Sequence, residues 1–386
     1  MDNISGQAPK ERQTAMGRAH RHLPKRIVLT VTSDPAYDQR MIRICTSLQN
    51  AGYDVLLIGR LRPNSKELPE RPFRQRRIRQ RIDRGKLFYA LYNLKLFIVL
   101  LFSGADCFCA IDLDTILPVY YASRIRRKPR VYDAHELFTE MEEVVTRPAT
   151  HKMWLAIERY TVPHFPFGYT VNESYVREYE RMYGVHYAIV RNATVLKPLT
   201  IPEKPERIIL YQGAVNHGRC FPELIAAMQH VDARLIVCGE GNFYAEAQAL
   251  VKELKLEDKV IFKGYVKPED LRTYTLNAYI GITLFVATSR SNELSLANRF
   301  FDYMHAGVPQ LAMNYPEYAH INAQYEVASL LDEVTPQSVA VALNRLLLDK
   351  TYYDRLQSGC LKAREVYCWQ KEEERLLDVY QKVFNS

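Results

Sequence analysis

Asn298, Arg299 and Asp302 stand in the stretch LSLANRFFDYMHAGVP, which stops at Gly307 in front of an apolar strand. Residues three and four apart share one side of a helix. An amide, a guanidinium and a carboxylate therefore project together, while Phe300, Phe301 and Met304 supply the buried side. A carboxylate in that setting can accept hydrogen bonds from two vicinal hydroxyls, as in a ribose. A guanidinium can neutralise phosphate, and a helix N-terminus assists it. The plainer alternative is a solvated face with a local Arg–Asp pair worth roughly a few tenths of a kcal/mol.

Two other clusters have matching chemistry. In ILYQGAVNHGRCFPELIAAM, Gly213 ends a strand, a loop carries Gly218 and Arg219, and Pro222 falls in the first turn of a helix. A glycine-containing loop entering a helix N-terminus is an anion site, and Arg219 adds a permanent cation able to grip a diphosphate through two parallel hydrogen bonds. The next strand ends in Gly239, Glu240 and Gly241, where missing side chains allow close backbone approach to a ligand. Earlier, RVYDAHE delivers Asp133, His135 and Glu136 to a strand terminus. A lone histidine is more often structural, but one flanked by two carboxylates at a strand end is a candidate acid, base or sugar contact. The turn after the first strand, TSDPAYDQR, lacks G-x-G-x-x-G, which disfavours a simple NAD enzyme.

Alternating strands and helices must position these groups. RIVLTV, YDVLLIG, DCFCAIDL and RVYDAHE read as strands, with helical spacing over Met41–Leu48 and Ile116–Arg124 between them. The Pro-rich segment TVLKPLTIPEKPE interrupts the alternation, which restarts with RIILYQG, ARLIVCG, KVIFKG, AYIGITL and VPQLAM. The expected class is α/β, with two Rossmann-like domains facing across a cleft. The boundaries expected are a disordered tail over residues 1–24, a first domain over 25–195, a second over 196–368, and a last helix over 369–386 whose pattern permits it to cross back to the first domain.

Composition excludes several classes. The 386 residues, 47% apolar and 11% aromatic, are enough for two packed cores. Seven cysteines include no C-x-x-C pair, against a zinc site or a disulfide framework and in favour of a reducing compartment. The first 24 residues are polar and basic, without the apolar stretch of a secretory signal, so a cytoplasmic location is expected. Between Arg60 and Lys86 eleven Arg or Lys face three acids, which matches the whole net charge of +8. Such a patch suits phosphates or anionic lipid headgroups, with a solvated Arg-rich strand and loop as the plain alternative. LFYALYNLKLFIVLLF, Leu87–Phe102, is short for a membrane span and reads as a helix buried inside a domain, with an interfacial helix as the alternative. Peripheral contact with the inner face of an anionic membrane follows as an expectation. The basic segment carries no nucleic-acid-binding motif, so no nucleic-acid partner is expected.

The chain resembles the family 4 (group 1) retaining glycosyltransferases of the GT-B fold, over nearly its whole length beyond the tail. LANRFFDYMHAGVP is similar to the family's C-terminal motif, which usually has Lys where Arg299 and Glu where Asp302 stand. YQGAVNHGR resembles the donor-phosphate loop, and VYDAHELFTE the first-domain strand with its cleft histidine; KGYVKPEDL and VNESYVREY are further similar stretches. The resemblance implies a hexosyltransferase-type enzyme with a sugar-nucleotide donor on the second domain and a glycan or lipid-linked acceptor on the first, in polysaccharide or glycoconjugate synthesis. It also implies retention of anomeric configuration with no metal or other cofactor. Arg219 and Arg299 would stabilise the departing diphosphate, Asp302 would hold the ribose, and His135 would contact the donor sugar. Gly213, Gly218, Gly239, Glu240, Gly241 and Asn298 complete the expected donor site.

Three departures from that pattern stand out. Asp302 is one methylene shorter than the usual Glu, and the upstream acid of the family's paired motif falls at position 294, which is Leu. Cys220 replaces a loop glycine. Two alternatives remain: a nucleotide-sugar epimerase using Asp133, His135 and Glu136, and a catalytically silent binding or scaffold protein.

Overall fold

A computed structural model describes residues 24–82, 84–204 and 206–386. Apart from Pro24, the expected N-terminal tail lies outside the described residues. The first sheet holds β1 (Arg26–Thr30), β2 (Asp54–Leu61), β3 (Arg74–Arg79), β4 (Cys107–Ile111), β5 (Arg130–Ala134), β6 (Phe167–Thr170) and β7 (Ala188–Ile189), in the order β3-β2-β1-β4-β5-β6-β7. The second holds β8 (Ile208–Gln212), β9 (Arg234–Cys238), β10 (Val260–Gly264), β11 (Ile280–Thr283), β12 (Gln310–Met313) and β13 (Ala328–Leu331), in the order β10-β9-β8-β11-β12-β13. Neighbouring strands pair in parallel throughout; Ile27 of β1, for example, sits between Val55 and Cys107. The order reverses between β1 and β4 and between β8 and β11, and crevices at such switch points are where ligands bind in open parallel sheets.

Apolar runs such as CFCAI form strands covered on both faces, as parallel sheets require. Local signals start the helices. Asp38 caps Gln39–Asn50 by accepting from the Met41 N–H at 3.1 Å, and Asn172 caps Glu173–Tyr183 by accepting from the Tyr175 N–H at 2.8 Å. The last helix, Trp369–Asn385, lies on the first sheet, where Trp369, Leu376, Val379 and Tyr380 join the core built from Ile27, Ile44 and Leu48. Trp369 Nε1 also donates to Ser47 Oγ at 3.1 Å.

The Arg-rich segment supplies the edge strand β3: Arg77 pairs with Asp34 and Arg74 with Asp54, each at 2.6 Å, Arg60 lies over the Phe88 ring at 4.1 Å, and Arg76, Arg79 and Arg81 stay exposed. One expectation needs correction. The apolar helix, Gly85–Leu101, is buried only along Phe88, Tyr92, Leu96 and Leu100. Its opposite side faces outward, because a helix laid on a sheet can bury only one face.

Candidate active site

At the end of β8 the chain turns through Gly213, whose φ of 127° is open to glycine and not to a side chain. Arg299 Nη1 donates to the Gln212 carbonyl at 2.9 Å, and its guanidinium lies 4.7 Å from the centre of the Tyr211 ring. A Cβ at Gly213 would stand 3.1 Å from that nitrogen, so the glycine lets the cation lie against the strand end. Arg219 packs on the Phe285 ring at 5.5 Å. Burial, and then the nearby Arg299 cation, lower its affinity for its proton. The two guanidiniums are close enough to act on each other, and no carboxylate is among the main influences on either.

Asp302 lies one turn further along the helix Asn298–His305. Its carboxylate accepts from Thr194 Oγ1 at 2.7 Å and from Gln212 Nε2 at 3.0 Å, and Gln212 Oε1 accepts in turn from Thr275 Oγ1 at 2.8 Å. Burial pushes the Asp302 carboxyl up, against the pull of Thr194, the Arg43 cation and Gln212. Each carboxylate oxygen can still accept a second hydrogen bond. Asp302, Asn298, Gln212 and Thr194 line a cavity of about 480 Å³ between the domains, closed by the helix Pro268–Asn277 and by Arg43 and Arg364. That volume is within the roughly 300–1,000 Å³ of small-molecule sites. Asn298 itself accepts from Asn192 Nδ2 at 2.8 Å, which ties it to the interdomain segment.

Across the cleft, His135 Nε2 lies 3.2 Å from Asp112 Oδ2, while its Nδ1 and Asp112 Oδ1 are buried without partners. Burial pulls the imidazole down and, together with the Asp114, Glu136 and Asp133 charges, pushes the Asp112 carboxyl well up. The ring is therefore neutral near pH 7 and can offer a hydrogen bond but no charge. Asp112 has φ 52° and ψ 177°, a backbone geometry costly for a non-glycine residue. Asp133 does not reach the cleft. It is fully buried in a two-pronged pair with Arg40, at 2.8 and 3.2 Å. Glu136 turns instead toward the second domain, 3.4 Å from Ser291 Oγ, and burial pushes its carboxyl up to about 7.

The glycines of the second loop also have a packing task that their sequence does not reveal. A Cβ on Gly239 would fall 1.8 Å from the Gly213 carbonyl oxygen, and one on Gly241 2.3 Å from that of Val215. They let two loops close on each other. Glu240 accepts from the Tyr265 N–H at 3.2 Å at the rim, and the Gly218 carbonyl accepts from the Val286 N–H at 2.8 Å. Cys220 adopts φ 55° and ψ 32°, the left-handed region where a glycine would be unstrained. Leu294 points away from the cleft and packs in the first domain's core with Leu137 and Tyr175. Gln212, Thr194 and Arg43 were missed in the sequence. Only Gln212 left a signal, as a polar residue closing an apolar strand.

A pair of parallel open sheets with facing switch points, and a cationic pocket at one of them, defines the GT-B architecture. Residues 196–360, most of the second domain, match the family model of the glycosyl transferases group 1. The fold is similar to sucrose-phosphate synthase from Thermosynechococcus elongatus, with a TM-score of 0.75 and 18% identity over 94% of this chain and 99% of that one. It is also similar to Anabaena HepE in complex with UDP, with a TM-score of 0.71 and 13% identity over 93% of this chain and all of that one. In sequence it is 23% identical over 181 residues to an uncharacterized glycosyltransferase of Methanocaldococcus jannaschii, a match spanning 45% of each chain and so less than half of that relative's length.

Proposed function

We propose that the chain transfers a glycosyl unit from a nucleotide-diphosphate sugar to a glycan or lipid-linked acceptor, with retention of anomeric configuration and without a metal cofactor. The observation that carries this reading is the pair of neighbouring guanidiniums, Arg219 and Arg299, with Arg299 against Gly213 at the end of β8 and Asp302, one turn further along its helix, lining the interdomain cavity. When the bond between the anomeric carbon and the phosphate oxygen breaks, negative charge grows on the diphosphate. Two fixed guanidiniums stabilise that charge without reorganising. The acceptor hydroxyl then bonds to the anomeric carbon on the face the diphosphate leaves, and its proton passes to the departing phosphate oxygen. Asp302 holds the ribose, and neutral His135 donates or accepts a hydrogen bond at the donor sugar. That HepE, a structural neighbour, was solved in complex with UDP supports a nucleotide as a ligand of this fold.

A second reading has its own support. With Leu294 packed into the first domain and Asp302 already holding Thr194 and Gln212, the chain would bind a nucleotide sugar without turning it over. The epimerase alternative is weakened, because Asp133 is sealed against Arg40. The deciding experiment measures nucleotide release from UDP-, GDP- and ADP-sugars with a panel of glycan and lipid-linked acceptors. Acceptor-dependent release that Arg219→Ala abolishes supports transfer; nucleotide binding with no release supports the silent reading.

A further inference from the structure

Six of the fourteen large apolar side chains that are exposed among the described residues lie on or just after two adjacent helices of the first domain. Along the helix Gly85–Leu101 and the residue after it, Leu87, Leu94, Ile98 and Phe102 recur at helical spacing and face outward, Ile98 half exposed and Phe102 85% exposed. The neighbouring helix Ile116–Arg126 packs against this one and adds Tyr121 and Ile125. Two adjacent helices therefore present apolar outer faces, well beyond the scattered exposed residues normal for a surface.

Charge selects the occupant. Neither helix contains an Asp or Glu, while Lys86, Lys95, Arg124 and Arg126, with Arg127 just beyond, are exposed on or beside the apolar stripe. A second copy would bring two acid-free cationic faces together. A nucleic acid would gain nothing from the leucines and isoleucine. An anionic bilayer meets both requirements, taking the apolar side chains below its headgroups and the cations among them. The helix has 17 residues, and among the described residues no helix is long and apolar enough to cross a membrane, so the contact lies along the surface. We propose that the outer faces of Gly85–Leu101 and Ile116–Arg126 form a docking surface for an anionic lipid bilayer. This extends the expected membrane contact from the Arg60–Lys86 segment, where Arg74 and Arg77 are paired with acids, onto the helices that follow it, with Lys86 shared between the two.

The test is co-sedimentation of the full-length protein with phosphatidylcholine vesicles, with and without phosphatidylglycerol. Binding is expected only with phosphatidylglycerol, reduced at least about tenfold by Ile98→Glu with Phe102→Glu, and roughly fivefold by each of Arg126→Ala and Arg127→Ala. As a control on folding, a Phe102→Trp protein should shift its emission to shorter wavelength with anionic vesicles and not with neutral ones. Failure of the wild type to bind, binding unchanged in the Glu variants, or an unshifted emission from the Phe102→Trp protein would each overturn the proposal. So would loss of a dimer in the Glu variants while vesicle binding persists.

Discussion

The Asn172 side-chain amide donates to the Leu294 carbonyl at 2.8 Å, joining the N-cap of a first-domain helix to the second-domain loop that leads to Arg299 and Asp302. Nearby, Tyr175 donates to the Ser291 carbonyl at 3.0 Å, and Glu317 accepts from the Ser174 N–H at 2.8 Å. The leucine found at the acid's position is thus a latch between the domains.

Opening that latch should be measurable. Leu294→Ala should cost the closed arrangement about 2–5 kcal/mol, the usual range for a buried leucine. Leu294→Glu, which supplies the acid that the family resemblance expects, should do worse by bringing a carboxylate into an apolar core. The readouts are the radius of gyration in solution and the distance between dyes on the two domains. Unchanged values in both variants would show that Leu294 does not hold the domains together.

The two guanidiniums should separate by type of replacement. Arg219→Met and Arg299→Met should each weaken binding of a nucleoside diphosphate roughly tenfold to a hundredfold, matching about 1.5–3 kcal/mol for a hydrogen bond to a charged group. Arg299→Lys should fall between wild type and Met, because an ammonium lacks the fork that serves the Gln212 carbonyl and a phosphate together. Lys and Met variants of equal affinity would remove Arg299 from phosphate binding.

Asp302→Ala leaves the Gln212 amide and the Thr194 hydroxyl without their acceptor, so stability should drop by about 1–3 kcal/mol in chemical unfolding. Its ribose role has a separate signature. Wild type should bind a ribonucleotide more tightly than the matching deoxyribonucleotide, and Asp302→Ala should treat the two alike. Equal preference in both proteins would leave Asp302 with the structural task only.

Glu136 should make closure depend on pH. Burial raises its carboxyl to about 7 in the folded protein, so the folded state holds a proton that the unfolded chain has already released. The resulting stability is full below the usual carboxylate range and is lost as pH rises through about 7. Asp114, raised by burial to about 6, acts in the same direction. Asp54 and Glu178, pulled down against burial by paired arginines, act oppositely and only at more acid pH. Unfolding midpoints between pH 5 and pH 8, compared with Glu136→Gln, test this; a Gln variant with the wild-type pH slope would exclude Glu136 as the cause.

Much of this was legible because it is local. Strand endings, the interdomain proline segment and the spacing of Asn298, Arg299 and Asp302 depend on neighbours in sequence, and the sheets followed from them. What was not legible depends on partners far along the chain. Arg40 neutralises Asp133 from 93 residues away, and Thr194 reaches Asp302 across 108. That Gly239 makes room for the Gly213 carbonyl depends on a loop 26 residues earlier in the chain. The apolar run Leu87–Phe102 reads as buried because hydropathy reports total burial demand and not which side of a helix the sheet covers.

The most direct measurement is calorimetric titration of the wild type and of the Arg219→Met, Arg299→Met double variant with UDP, GDP and ADP. One nucleotide should bind the wild type and fail to bind the variant, which would place the diphosphate on the arginine pair and name the base. Binding that survives in the double variant, or no binding of any of the three to the wild type, would contradict a donor site at the end of β8.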